Sequence, residues 1–368
     1  MRPGYYPGLD VLRIVAALVV FYDHARDWFT SGGQRWWFDD VFTSGVVEPL
    51  ALGDHLGPLA ISTFFVVSGF VITNAAFRES PGRFLARRAM RIVPALWVVL
   101  LIIWFVARAG VPIAVTGTAD TSTLLTNLTL TNLFFSGEPA LDAVTWSLVV
   151  QVVYYLYVAV TIPLLRRWPW LPSILAVALA GVLLSVVRAE VPVAAHTVRV
   201  VVTFLPILFI GQLIALVRLG KLHPLAGTAY GVLHWLLLVR GDLTSYFTPA
   251  VPGYPQSVVC IALLVIVCTR ISGGEVAGRW VRAVANRTYA VYLVHVPVLY
   301  VTPHLLSTSA GTTLAFLTVV AGTAVTADLL HRVVEVPAVR LFRRWENRGQ
   351  YTAERAPDDV AGRAEATR

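Results

Sequence analysis

Arg13 and His24 fall eleven residues apart inside the first apolar stretch of the chain, Leu9 to Trp28. At about 100° per residue, that step returns to within about 20° of the same helical face and rises about 16.5 Å. One face of a membrane-crossing helix then carries a guanidinium near one end and an imidazole near the other. Ionisable groups at that depth are costly and are kept where they pair or act. A guanidinium holds an anion without ever shedding its charge. An imidazole takes or gives a proton near neutral pH. Asp27, three residues beyond His24, shares its face and can orient the ring, whereas Asp23 points elsewhere. Asp10, one turn before Arg13, is the candidate intrahelical partner, so Arg13 serves either an Asp10–Arg13 pair or a bound anion.

Further candidates lie along the chain. Arg88 and Arg91, at i, i+3, can face one way and grip phosphate, or they can simply belong to a basic membrane flank. Ser147, Gln151 and Tyr154 fall on one helical face after Trp146, as a polar stripe lining a cavity or bonding a neighbouring helix. Tyr289, Tyr292 and His295 repeat at i, i+3, i+6. His331 and Glu335 stand one turn apart, followed by Pro337. Phe64–Phe70 sets a small Ser68-Gly69 step among aromatics, which reads as a close helix crossing.

The elements that must position these groups are membrane helices. The 368 residues are 57% hydrophobic and 14% charged, with a mean hydropathy of +0.71. Soluble domains carry about 25% charged residues. About ten apolar spans are expected, at 9–28, 57–77, 91–109, 144–165, 171–187, 198–217, 224–239, 255–269, 284–304 and 311–331. The expected fold is an all-α polytopic bundle, with a membrane domain over 1–348 and a disordered cytoplasmic tail over 349–368. The first span is expected to be retained, since Arg13, Asp23 and His24 interrupt it and no small-residue cleavage site follows.

Basic residues set the orientation. Arg78, Arg83, Arg87, Arg88 and Arg91 share the second loop, and Arg166, Arg167, Arg218, Lys221, Arg270, Arg279, Arg282 and Arg287 fall in later even-numbered loops. By the positive-inside rule both termini are cytoplasmic, Arg13 lies toward the cytoplasm and His24 toward the outer side. Loops 29–56 and 110–143 are then long outer loops, able to cover an acceptor or merely to connect. The net charge of +8 resides in inter-span loops, which argues against nucleic acid as a partner. Cys260 and Cys268 share one span, and no metal-ligand spacing such as C-x-x-C occurs, so neither a disulfide nor a metal site is expected.

Taken together, these segments resemble the bacterial membrane acyltransferase-3 family over nearly the whole chain. The residues that carry the resemblance are Gly8-Leu9-Asp10 with Leu12-Arg13, the Arg13/His24 pair, Phe64-Phe65-Val66-Val67-Ser68-Gly69-Phe70, and Arg88/Arg91. Trp146-Ser147-Leu148, Tyr289/Tyr292/His295 and Glu335-x-Pro337 follow in order. The resemblance implies transfer of an acyl group, commonly acetyl from acetyl-CoA, to a hydroxyl of a glycan, glycolipid or glycosylated metabolite at the bacterial inner membrane. It implies His24 as the catalytic base, supported by Asp27, Ser147 and Gln151. Arg13, Arg88 and Arg91 would bind the donor, while Asp10, Trp146, Tyr154, Tyr292 and His295 would line the cavity. Acyl-CoA is then a substrate, with no permanently bound cofactor. The tail is too short for the esterase-like domain that some members append, so a stand-alone enzyme is expected. One position departs from the pattern. The family's Trp-Ser-Leu motif usually runs on to Glu, and this chain has Gln151, which keeps size and hydrogen bonding but loses charge and base capacity. Two other readings stay open on the residues: a proton-coupled transporter, and an inactive relative that binds glycan or lipid.

Overall fold

The structure is a computed structural model that describes residues 5–31, 35–50, 56–111, 119–135, 138–187, 193–244, 253–271, 273, 278–305 and 311–347. The proposed tail, 349–368, lies outside the described residues. All regular structure among them is helical. The longer helices are α1 (Pro7–Thr30), α2 (Gly57–Ala76), α3 (Pro81–Arg108), α4 (Thr145–Arg167), α5 (Leu171–Val186), α6 (Val193–Arg218), α7 (Pro224–Leu243), α8 (Tyr254–Cys268), α9 (Thr288–Leu305) and α10 (Thr312–Asn347). Each falls on one of the expected apolar stretches. Of these, α2, α3, α4, α6 and α10 are long and apolar enough to cross a membrane, and α5, α8 and much of α9 are shorter apolar helices. Large apolar side chains such as Val160, Leu179 and Leu225 face outward, as they would toward lipid and not toward water.

Helix boundaries move where helix outruns apolar sequence. α3 begins at Pro81, ten residues before the expected span, with Ser80 before it and Pro81 fixing the first-turn φ. Arg83, Arg87, Arg88 and Arg91 are therefore helical residues, not loop residues. α10 likewise continues past Leu330 through a π-turn at His331–Glu335 and runs to Asn347.

The core centres on α2 and α6, and α6 is nearly all buried. Two glycines set their spacing. A Cβ on Gly69 would fall on the Leu208 carbonyl, and one on Gly211 would fall on the Val66 carbonyl. The Ser68-Gly69 step is thus the close crossing its composition suggests. The N-terminus of α2 is held from outside its own helix: the buried Asp23 of α1 accepts the Leu56 N–H at 2.8 Å. A carboxylate there satisfies an orphan donor and faces the positive pole of the helix. Asp23 is committed to this cap.

At the same end of α1, Trp36 is buried and stacks on Phe29 and Tyr22, with Phe38 and Phe316 completing the cluster. The Tyr22 hydroxyl donates to Asp39, which also pairs with Arg26 at 3.0 Å. The segment that begins at 35 is thereby packed against α1 and α10. The Gly69–Gly211 crossing predicts that Gly69→Ala costs more than the roughly 1–3 kcal/mol of ordinary overpacking, because the obstacle is backbone. Gly82→Ala, with nothing within 4 Å of its Cβ, should leave the thermal midpoint in detergent unchanged or raised.

Candidate active site

One cavity collects side chains from five helices. Arg13 comes from α1, Phe64 and Ser68 from α2, Arg88 and Arg91 from α3, Ser147, Gln151 and Tyr155 from α4, and Thr288, Tyr289 and Tyr292 from α9. The three arginines singled out in the sequence therefore meet around a single space.

Their charges are only loosely matched. Arg13 lies 3.6 Å from Asp10 and donates to the Thr288 hydroxyl at 3.3 Å. Asp10 is itself held by the Tyr5 hydroxyl at 2.9 Å. Arg88 lies 3.6 Å from Glu79, sits over the Phe84 ring, and has a buried Nε without a hydrogen-bond partner. Arg91 has no ion pair among the described residues. The neighbouring arginines of α3 are instead tightly paired on another face. Arg83 meets Glu346 at 2.6 Å, and Arg87 bridges Glu79 at 2.8 Å and Glu346 at 2.9 Å. The i, i+4 pair thus ties α3 to the far end of α10, and the i, i+3 pair faces the cavity. Net positive charge in an apolar wall calls for an anion.

The α4 stripe is rotated from its expected centre. Ser147, Leu148, Gln151 and Tyr155 line the cavity. Tyr154 does not; it is buried against Phe209 in an edge contact at 5.3 Å. Relative to Ser147, Gln151 and Tyr155 lie about 40° and 80° around the helix, and Tyr154 lies about 20° the other way. Ser147 is thus the edge of the lining face. Its hydroxyl is 2.6 Å from that of Tyr292, which also donates to the Val144 carbonyl at 2.8 Å. Both hydroxyl protons are used within that triangle. Gln151 Nε2 donates to Ser68 Oγ at 3.0 Å, and the same amide also meets the Tyr155 hydroxyl. Trp146 packs on Phe204 at 4.8 Å, outside the lining set.

His24 stands beyond the cavity wall. Its ring centroid is 5.2 Å from that of His295, which is 5.9 Å from the Tyr292 ring. His295 Nδ1 faces the carbonyls of Tyr292 at 2.8 Å and Val291 at 3.1 Å, so it carries a proton. The lone pair of the neutral ring is then on Nε2, which is buried with no hydrogen-bond partner. Asp27 is exposed, and no hydrogen bond joins it to His24 among the described residues. At the other end of the bundle, His331 Nδ1 lies 2.6 Å from Glu335 Oε2 on the π-turn, a distortion that recurs at functional sites.

Ser68, Tyr155 and Thr288 were not singled out as site residues. Tyr155 is one turn beyond Gln151, and Thr288 is one turn before Tyr292, so helical spacing reaches both. Glu346 has no such local signal, because 259 residues separate it from Arg87.

Asp142 is a further carboxyl at the base of α4. Asn127 is buried and binds the carbonyls of Thr123 and Pro139 and the N–H of Leu141, which fixes the approach to α4. Asp142 is 1% exposed, with Oδ2 unpartnered. Burial pushes its carboxyl up to about 7, offset in part by the Val144 N–H. A folded-state value above the unfolded one means that the folded protein holds the extra proton between about pH 4 and pH 7. Stability then falls as pH rises through that window, by up to about 1.4 kcal/mol per pH unit. Asp142→Asn should flatten the decline of the thermal midpoint between pH 5 and pH 7. An unchanged slope would place the titration elsewhere.

The comparisons with known proteins point one way. A family model described as an acyltransferase domain, acyltransferase-3, matches residues 6–332. The chain is similar to nodulation protein 10 of Rhizobium leguminosarum bv. viciae, at 28% identity over 184 residues, 45% of this chain and 46% of that protein. It is similar also to acyltransferase MdmB of Streptomyces mycarofaciens, at 26% identity over 375 residues, 92% of either chain. The chain thus spans about half of the first relative and nearly all of the second. No solved structure matches it. Every residue lining the arginine cavity falls inside the matched range. The chain belongs to the acyltransferase-3 family and is a multi-pass helical membrane protein built around an acyltransferase domain.

Proposed function

We propose that the protein is a membrane-embedded O-acyltransferase that moves an acyl group, acetyl foremost, from cytoplasmic acyl-CoA to a hydroxyl of a glycan or glycosylated metabolite. The observation that carries this reading is the set of three guanidiniums around one cavity in a fold of this family, with only two carboxylate contacts, both 3.6 Å. In the proposed arrangement about ten helices cross the bacterial inner membrane with both termini cytoplasmic. Arg88 and Arg91 at the start of α3, helped by Arg13, hold the phosphates of the donor. The pantetheine arm extends along the cavity toward Tyr292, and the acceptor enters from the outer side near His24.

The chemistry balances in one displacement. His24 takes the proton of the acceptor hydroxyl as its oxygen attacks the thioester carbonyl. The C–S bond breaks, and the CoA thiolate leaves toward the arginines and is protonated by the imidazolium. His295, with Nε2 free and its ring against that of His24, is placed to position or relay that proton. Since Ser147 and Tyr292 have spent their protons on each other and on Val144, the Gln151 amide beside Tyr155 is the stronger candidate donor to the tetrahedral oxyanion.

Purified protein in nanodiscs should release CoA from acetyl-CoA, slowly with water in place of the acceptor hydroxyl and acetate as the product, and faster with a glycan acceptor that takes the acetyl group. His24→Ala should lower that rate by about 10²–10⁴. Arg88→Ala and Arg91→Ala should each raise KM for the donor by about ten-fold with a smaller effect on kcat. Gln151→Glu should slow turnover, because a carboxylate cannot donate. A faster Gln151→Glu enzyme would reassign position 151 to base chemistry. CoA release that survives His24→Ala would remove His24 from the reaction.

A further inference from the structure

A second, larger groove lies apart from the arginine cavity, between α6, α7 and α8. Its walls are apolar along the helices, and its charged residues are confined to one end. The antiparallel run of the three helices explains this. The C-terminus of α6, the N-terminus of α7 and the C-terminus of α8 come to the same end, which places Arg218 and Arg270 there with Thr228 and Thr269. Neither arginine is within ion-pair distance of a carboxylate among the described residues. The N-terminus of α7 adds its positive pole on the same side.

Trp235 lines the other end, and its indole N–H donates to the Pro255 carbonyl at 2.8 Å. From Pro224 to Trp235 the helix rises about 16.5 Å, close to the roughly 15 Å of one leaflet of a bilayer whose hydrocarbon core is about 30 Å thick. The groove is therefore one leaflet deep, apolar along its length and cationic at the interface. Gly231 lines it midway, and a Cβ added there meets nothing within 4 Å. Gly227, one turn earlier, instead packs against Val217. The space at Gly231 is open and not filled by a neighbouring helix.

We infer that this groove holds one phospholipid of the leaflet that faces Arg218 and Arg270, with an anionic headgroup between the two guanidiniums and an acyl chain along α7. An aqueous phosphate would use only the charged end and would leave the apolar length unexplained. A zwitterionic lipid would fill the length and offer its phosphate, but its ammonium group would offset the attraction of two arginines that have no carboxylate partner among the described residues.

The test is native mass spectrometry of the full-length protein released from phosphatidylcholine nanodiscs containing phosphatidylglycerol as the minor lipid. The expected result is one retained phosphatidylglycerol per protein in preference to phosphatidylcholine. Arg218→Ala with Arg270→Ala should weaken that retention by about thirty-fold, at about five-fold per arginine near an anionic headgroup. Gly231→Leu should displace the lipid while the thermal midpoint holds, and the arginine double variant decides the matter if Gly231→Leu fails to fold. Equal retention of both lipids, or phosphatidylglycerol retention undiminished in the arginine double variant or in folded Gly231→Leu, would overturn the assignment. So would displacement by glycerol phosphate at the concentration at which the lipid itself competes, since that would make the site one for free phosphate.

Discussion

The concentration of positive charge at one point of an apolar bundle is the constraint on which the rest of this structure depends. Three guanidiniums cannot be neutralised by losing protons, and bringing them together in a low-dielectric wall is unfavourable without partners. The chain supplies partial compensation through Asp10, Glu79 and Thr288, each long or weak. It spends its short, strong carboxylate contacts elsewhere, on Arg83 and Arg87. That division is informative. Glu346 and Glu79 fix where α3 stands and leave the adjoining arginines under-paired, with room in front of them for an anion.

Holding such a site requires stiff surroundings. The backbone contact at Gly69 and Gly211 fixes α2 against α6, and Ser68, next to Gly69, consequently faces Gln151 across the cavity. Asp23 fixes the start of α2 against the C-terminal half of α1, where His24 is the next residue. Asn127 fixes the entry to α4, from which Ser147, Gln151 and Tyr155 project. A small set of buried contacts thus aligns helices far apart in the chain.

Much of this was legible in the sequence because helical periodicity is local. The apolar stretches located the helices, and the eleven-residue spacing put Arg13 and His24 on one helix. The i, i+3 spacing of Arg88 and Arg91 anticipated their shared face. Periodicity gave less where a small rotation matters. Tyr154 and Tyr155 differ by 100°, and only the packing of Tyr154 on Phe209 decides which of them turns to the cavity. Apolar counting also begins α3 only at Arg91, ten residues after its first residue, because a helix that leaves the membrane loses its hydrophobicity before its hydrogen bonds. Long-range partners were invisible for a different reason. Nothing near Arg87 in the chain announces Glu346, and nothing near Leu56 announces Asp23. Such pairs are set by how helices pack, and a single sequence records only the two halves.

If the arginine cavity recognises the phosphate end of an acyl donor, CoA should bind the wild-type protein in nanodiscs at least about a hundred-fold more tightly than pantetheine, which lacks the phosphates and the adenosine, as expected for two or more charge-assisted contacts. The difference should narrow as salt is raised, which separates the phosphates from the adenosine. Equal affinity for the two compounds at low salt in equilibrium binding would rule that recognition out.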